Sequence, residues 1–82
     1  MFYTYLLKSQ KHNWHYIGSI TDLRERLLTH NAGKVKSTKA YKPFYLIYYE
    51  AYPTYSLARK RGLEFKKNSQ QKEILFFRLG IK

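Results

Sequence analysis

The alternation of apolar and polar positions predicts three strands along the chain. Aromatic and aliphatic residues from Phe2 to Leu7 predict the first strand, and Trp14 to Ile17 predict the second. The polar residues 10–13 between them form a short gap, which favours an antiparallel hairpin. Pro43 precedes a strongly apolar segment, Phe44 to Glu50, which we expect to be the third strand.

Start and stop signals predict three helices. Asp22 with Glu25 three residues later resembles a capping box and opens a helix that runs to about Ala32, just before Gly33. The other two helices are expected at Tyr55 to Lys67, after a turn and cap at Pro53-Thr54, and at Gln70 to Leu79, before Gly80. The order β-β-α-β-α-α predicts an α+β fold, in which a small three-stranded antiparallel sheet is flanked by helices. At 82 residues we expect a single domain over 1–82.

The charge of the chain is strongly positive. Sixteen Lys and Arg face five Asp and Glu, and this formal charge of +11 favours polyanionic partners. Nucleic acid ranks first, and an anionic membrane ranks low because no long basic amphipathic helix is present. The bases concentrate in residues 34–42 and 59–67. The candidate nucleic-acid contacts are Lys34, Lys36, Lys39, Lys42, Arg59, Lys60, Lys66 and Lys67.

Several classes of protein are excluded by what the sequence lacks. Without Cys, the chain has neither a disulfide framework nor a thiolate zinc site. The apolar run that contains Tyr45 to Tyr49 is far too short to span a membrane. The N-terminal residues lack the basic segment and cleavage site of a secretory signal, so we expect a cytoplasmic protein.

Two polar residues of the first predicted helix lie beside its apolar stripe. At about 100° per residue, Arg26 lies about 60° from Leu23, and His30 lies about 20° from it. A cation in that position needs a partner or an anionic ligand. The alternative is an Arg that extends over the core edge beside a His bonded to the backbone, and the helix alone favours this alternative.

Several residues of the chain occur in the order and spacing that are typical of a known protein family. Tyr5, ten intervening residues and Tyr16-Ile17-Gly18, followed by Asp22-Leu23-Arg24-Glu25-Arg26 and His30-Asn31, resemble the GIY-YIG nuclease superfamily, in particular its small stand-alone single-domain group. The resemblance continues through Ser37-Thr38-Lys39 and Pro43 to Gln71-Lys72-Glu73, so it covers essentially the whole chain. The fold of that family agrees with the element order predicted above.

The resemblance implies a chemistry for four side chains. Family members cleave phosphodiesters, typically in DNA, with one divalent metal ion, so Mg²⁺ or Mn²⁺ is the implied cofactor. Tyr5 and Tyr16 correspond to the two motif tyrosines, one of which orients or deprotonates the attacking water. Arg26 corresponds to the arginine that neutralises charge on the phosphoryl oxygens. His30 corresponds to a histidine that bonds the phosphate or relays a proton.

One position departs from the family pattern where the metal should bind. The family motif in the second helix places a metal-binding Glu after Arg, but here Arg61 is followed by Gly62. Glu64 lies about 200° from position 62 on a helix, towards solvent, and Glu50 matches a different family position. We therefore expect impaired metal binding, with no residue of this chain assigned as a metal ligand.

Three functions remain open from the sequence. The first is a GIY-YIG type endonuclease that is impaired by Gly62, and the second is a nucleic-acid-binding module on the same scaffold that no longer cuts. The third, a basic structural protein of ribosomal type, requires the motif to match by chance. In the first two cases we expect recognition of the phosphate backbone rather than of base edges.

Overall fold

Three antiparallel strands form one sheet in the computed structural model, which describes residues 1–81. The strands are β1 (Phe2–Ser9), β2 (His15–Ile20) and β3 (Phe44–Tyr52). β1 lies in the centre and pairs with β2 on one side and with β3 on the other. The three predicted strands are confirmed, and each continues beyond its predicted C-terminal end because pairing with a neighbour satisfies the added backbone groups.

The helices begin and end close to their predicted signals. They are α1 (Leu23–Asn31), α2 (Tyr55–Lys67) and α3 (Ser69–Arg78), with a short 3₁₀ turn at Lys39–Tyr41 that the sequence did not indicate. The carboxylate of Asp22 accepts a hydrogen bond from the backbone N–H of Glu25 at 3.0 Å, which caps α1. The α+β prediction is therefore confirmed, with the order β-β-α-β-α-α. None of the helices within 1–81 is long and apolar enough to cross a membrane.

The two faces of the sheet pack against different helices. Side chains alternate along β1, so that Tyr5 and Leu7 point to the face covered by α1, where Phe44 is also buried. Leu6 points to the opposite face, where it packs with Ile17 of β2, Phe65 of α2 and Leu75 of α3. We call these the α1 face and the α2 face of the sheet.

A polar network fastens α2 to the outer strand. The Glu50 carboxylate of β3 accepts hydrogen bonds from the Arg61 Nε at 2.9 Å, from the Tyr48 hydroxyl at 2.6 Å and from the Tyr52 hydroxyl. Burial raises the pKa of Glu50, but these three bonds outweigh burial and lower the pKa below its ordinary value. Arg61 belongs to the basic cluster of residues 59–67, yet its charge is balanced within the fold.

Candidate phosphodiester site

Two tyrosines come together on the α1 face because of strand geometry. Tyr5 lies in the central strand directly opposite Gly18 of β2, and its ring centroid is 6.3 Å from that of Tyr16. A Cβ atom at Gly18 would overlap the Tyr5 phenol and would lie 2.8 Å from its Cε1 atom. Glycine at position 18 therefore allows the Tyr5 ring to cross over β2, which gives a physical reason for the Tyr-Ile-Gly sequence.

His30 lies beneath the two tyrosines and is bonded through both ring nitrogens. It is 0% exposed, and its Nε2 lies 2.9 Å from the Tyr5 hydroxyl oxygen. Its Nδ1 lies 2.8 Å from the Thr38 hydroxyl oxygen. Both partners are side chains, so the alternative of a histidine bonded to the backbone is wrong. α1 places His30 inward, as the helical spacing predicted.

Burial controls the protonation of this pair. It raises the pKa of Tyr5 to about 12, although hydrogen bonding to Arg26 and its charge act in the opposite sense. Burial, together with the positive charge of Arg26, lowers the pKa of His30 to about 4. Both groups are therefore neutral near pH 7. A phenolate at Tyr5 needs more positive charge than this site holds by itself.

Arg26 occupies the position that the helix geometry predicted, one turn before His30 and half-buried. It lies close enough to Tyr5 and His30 to influence both pKa values. The backbone N–H of Glu25 donates to the Asp22 cap, and Glu25 and Arg24 both lie on the exposed side of α1. The structure thus brings together the four side chains predicted from the sequence, Tyr5, Tyr16, Arg26 and His30.

Thr38 also belongs to this cluster, although the sequence assigned it no role. It is 0% exposed although it lies between Lys36 and Lys39 in the lysine-rich loop, and its backbone N–H bonds the Val35 carbonyl at 3.1 Å. A contact between a loop residue and a helix residue produces no periodic pattern in the sequence, so periodicity could not predict it. The available signal was its place in the Ser37-Thr38-Lys39 segment of the family resemblance.

The predicted nucleic-acid contacts all lie on the surface. Every one of the eight is exposed: Lys34, Lys36, Lys39, Lys42, Arg59, Lys60, Lys66 and Lys67. The ammonium of Lys66 lies 5.8 Å from the centroid of the Tyr16 ring, so α2 borders the tyrosine site. Tyr41, an aromatic residue at the end of the loop, stacks on Trp14 with 4.0 Å between ring centroids, which occupies one of its faces in packing.

The carboxylate that the resemblance expects at position 62 is absent from this chain. Gly62 is buried against the sheet, and a Cβ atom there would lie 3.0 Å from the Ser19 hydroxyl oxygen. Glu64 is exposed and pairs with Arg61 at 3.4 Å, whereas Glu50 is held by its own three partners. No group of three or more His, Asp or Glu side chains within residues 1–81 could hold a metal. Neither glutamate replaces the carboxylate expected at position 62.

Fold and site together define a small α+β domain with a Tyr-Tyr-Arg-His cluster on one face of its sheet. The family model of the GIY-YIG catalytic domain matches residues 1–74, and the chain therefore belongs to the GIY-YIG family. It is a family of the nuclease type, which implies a nucleic-acid substrate.

Individual relatives agree with this membership. The chain is similar to the UPF0213 protein SH2523 of Staphylococcus haemolyticus, with 40% identity over 88% of each chain. It is 37% identical to the UPF0213 protein YazA of Bacillus subtilis, over 88% of this chain and 73% of that protein. The solution NMR structure of the UPF0213 protein BH0048 of Bacillus halodurans superposes with a TM-score of 0.56 at 27% identity, covering 98% of this chain and 88% of that one.

Proposed function

We propose that this protein binds the phosphate backbone of DNA at the α1 face, and that it is a GIY-YIG type endonuclease whose hydrolytic activity is impaired by Gly62. One observation supports the proposal above others: half-buried Arg26 lies beside a buried and hydrogen-bonded Tyr5–His30 pair. A guanidinium in such a position has no carboxylate partner among the salt bridges of residues 1–81. A phosphodiester provides the anion that it lacks.

Each side chain of the site has a role in the proposed hydrolysis of the phosphodiester bond. Arg26 would bond the non-bridging phosphoryl oxygens and neutralise the charge that builds on them. Tyr5 and Tyr16 would orient a water molecule towards phosphorus. As the water oxygen bonds to phosphorus and the bond to the leaving sugar oxygen breaks, the water proton would pass to the Tyr5 oxygen and the Tyr5 proton to His30 Nε2. The leaving oxygen would take a proton from solvent. The loop lysines and those of α2 would contact flanking phosphates. Recognition of this kind is independent of base sequence.

Gly62 limits this chemistry. Family nucleases generally use a divalent metal, and the carboxylate expected at position 62 is missing. Without it, we infer that the protein holds DNA in the site but hydrolyses the phosphodiester bond poorly. Mg²⁺ or Mn²⁺ would bind weakly if at all.

The experiment restores the carboxylate. Wild-type protein, Gly62→Glu and the uncharged control Gly62→Gln are incubated with branched and linear DNA plus Mg²⁺ or Mn²⁺, and binding and cleavage are measured separately. We expect all three proteins to bind DNA and Gly62→Glu to cleave it faster than the other two. Arg26→Ala should abolish that cleavage, whereas Arg24→Ala, which removes an equal charge from the exposed side of α1, should not. If Arg26→Ala leaves the activity unchanged, the proposed site is wrong.

A second candidate is a nucleic-acid-binding module that has lost catalysis altogether. The contact between a Cβ atom at position 62 and Ser19 favours it, because a glutamate there needs Ser19 to move. Retained binding with no cleavage by Gly62→Glu, in either metal and on either DNA, would support this candidate over the first.

A further inference from the structure

The hydroxyl of Thr38 lies where it can control which nitrogen of His30 carries the proton. Neutral histidine has one N–H donor and one acceptor nitrogen, and the partner of each nitrogen selects the tautomer. The tautomer matters because His30 can take the Tyr5 proton on Nε2 only when Nε2 is the acceptor. This inference rests on the proposed function for its consequence in catalysis, but its geometry belongs to the free protein.

Two arrangements of protons are compatible with the distances. In the first, the Tyr5 hydroxyl donates to His30 Nε2 over 2.9 Å, and His30 Nδ1–H donates to the Thr38 oxygen over 2.8 Å. The Thr38 hydroxyl then donates onward to the Val35 carbonyl over 3.4 Å. Each proton of this chain has an acceptor.

The second arrangement reverses the direction of the chain. The Thr38 hydroxyl donates to Nδ1, and Nε2–H donates to the Tyr5 oxygen. The phenolic proton of Tyr5 is then left without a protein acceptor at a side chain that is only 2% exposed. An unpartnered buried donor is unfavourable, so the first arrangement is preferred.

We propose that Thr38 is a positioning residue that holds His30 as the Nδ1–H tautomer and so aims the lone pair of Nε2 at the Tyr5 hydroxyl. Thr38 touches neither the substrate nor the reacting atoms, and it acts through the imidazole. Because Thr38 lies within the lysine-rich loop and its backbone bonds Val35, the loop expected to contact phosphates also fixes the proton of the buried histidine. Displacement of that loop would remove the acceptor for Nδ1–H.

The test compares the imidazole nitrogens of wild type, Thr38→Ser, Thr38→Val and Thr29→Val by long-range ¹H–¹⁵N correlation NMR without DNA. Thr29→Val is the matched control, because it makes the same chemical change next to His30, where the hydroxyl bonds the Glu25 carbonyl instead. His12→Gln and His15→Gln samples assign the His30 signals. We expect a protonated Nδ1 and an unprotonated Nε2 in the wild type, Thr38→Ser and Thr29→Val. Thr38→Val should shift His30 towards the other tautomer.

A wild-type His30 protonated on Nε2 would overturn the inference, and so would a Thr38→Val protein with an unchanged tautomer. If Thr38→Val fails to fold, the wild-type and Thr38→Ser spectra still test the tautomer, because protonation on Nε2 in either would overturn the inference. DNA binding by the same proteins separates the two proposals, because a wild type that does not bind DNA would contradict the proposed function without affecting the tautomer. Should Gly62→Glu cleave DNA, adding Thr38→Val should reduce kcat at least tenfold with little change in KM, and Thr38→Ser should restore it.

Discussion

The two faces of the sheet differ in the polarity of the side chains that they bury. On the α2 face, Leu6, Ile17, Phe65 and Leu75 form a core of hydrocarbon and aromatic side chains. On the α1 face, the buried groups include a phenol, an imidazole and a hydroxyl joined by hydrogen bonds. Packing on the α2 face stabilises the strands that hold the tyrosines. The α1 face can therefore bury polar groups that a core selected for stability alone would exclude.

The largest change in the free energy of unfolding should come from a substitution in the core of the α2 face. Phe65→Ala removes a side chain that is 2% exposed, and we expect a loss of about 3–5 kcal/mol in the free energy of unfolding. Phe77→Ala makes the same change at a position that is 85% exposed, and we expect less than about 0.5 kcal/mol. Urea denaturation measures both. Equal effects of the two substitutions would contradict the assignment of the core to Phe65.

The second largest change in stability should come from the α1 face, where the free energy of unfolding depends on pH. The pKa of His30 is about 4 in the folded protein against its ordinary 6.5, so the unfolded chain takes up the proton first as the pH falls. Stability is therefore lost from about pH 6.5 downwards, by about 2 kcal/mol between pH 7 and pH 5 for this group. Burial also lowers the pKa of His15, which adds to the loss in the same direction.

Urea denaturation at pH 7, 6 and 5 measures this dependence. His30→Gln should be less stable at pH 7 and should show a weaker pH dependence, whereas exposed His12→Gln should keep the wild-type dependence. A wild-type stability that is constant from pH 7 to pH 5 would show that His30 is not a buried neutral group.

The sequence predicts some residues of these two faces but not the tertiary contacts that they make. Helical spacing in α1 singled out Arg26 and His30 beside the apolar stripe, because that pattern is local, whereas the choice of Tyr5 and Tyr16 among nine tyrosines came from the resemblance to the GIY-YIG family. Thr38 and the Glu50–Arg61 pair could not be foreseen in the same way, since loop-to-helix and strand-to-helix contacts depend on tertiary packing. Arg61 stood among the basic residues of 59–67, and nothing in that segment indicated that a carboxylate of β3 would balance it.

The third effect concerns Gly62, which lies in α2 where that helix packs against the sheet. Glycine inside a helix costs up to about 1 kcal/mol relative to alanine, but a Cβ atom there would meet the Ser19 hydroxyl at 3.0 Å. We expect Gly62→Ala to be nearly neutral, because Ser19 must give up its 3.2 Å hydrogen bond to the Ala58 carbonyl. In a Ser19→Ala background, the same substitution should stabilise the protein by about 1 kcal/mol.

Thermal unfolding of the two single variants and the double variant checks this prediction. Thr4 still donates to the Ala58 carbonyl at 2.5 Å in the Ser19→Ala protein, so that carbonyl keeps one partner. The explanation fails if Gly62→Ala has the same effect with and without the Ser19 hydroxyl.

The smallest effect concerns single surface charges. For each phosphate that a variant no longer neutralises, the slope of log affinity against log salt should fall by about 0.9 on duplex DNA. We expect this change for Lys39→Gln in the loop and for Lys66→Gln beside Tyr16. Arg78→Gln is the control, because that exposed side chain lies in the last turn of α3. A salt-independent affinity of the wild type would contradict backbone recognition altogether.

The central claim is that nucleic acid binds at the Tyr5–Tyr16–Arg26–His30 cluster and at the lysines of the loop and of α2 that border it, and leaves α3 free. NMR titration of labelled protein with a short DNA duplex tests it directly, since every assigned backbone and side-chain signal reports its own surroundings. The account predicts shifts at Tyr5, Tyr16, Arg26, His30 and the lysine-rich loop, with the signals of Leu6, Leu75 and Phe77 unchanged. Shifts confined to α3, or no shifts at low salt, would contradict it.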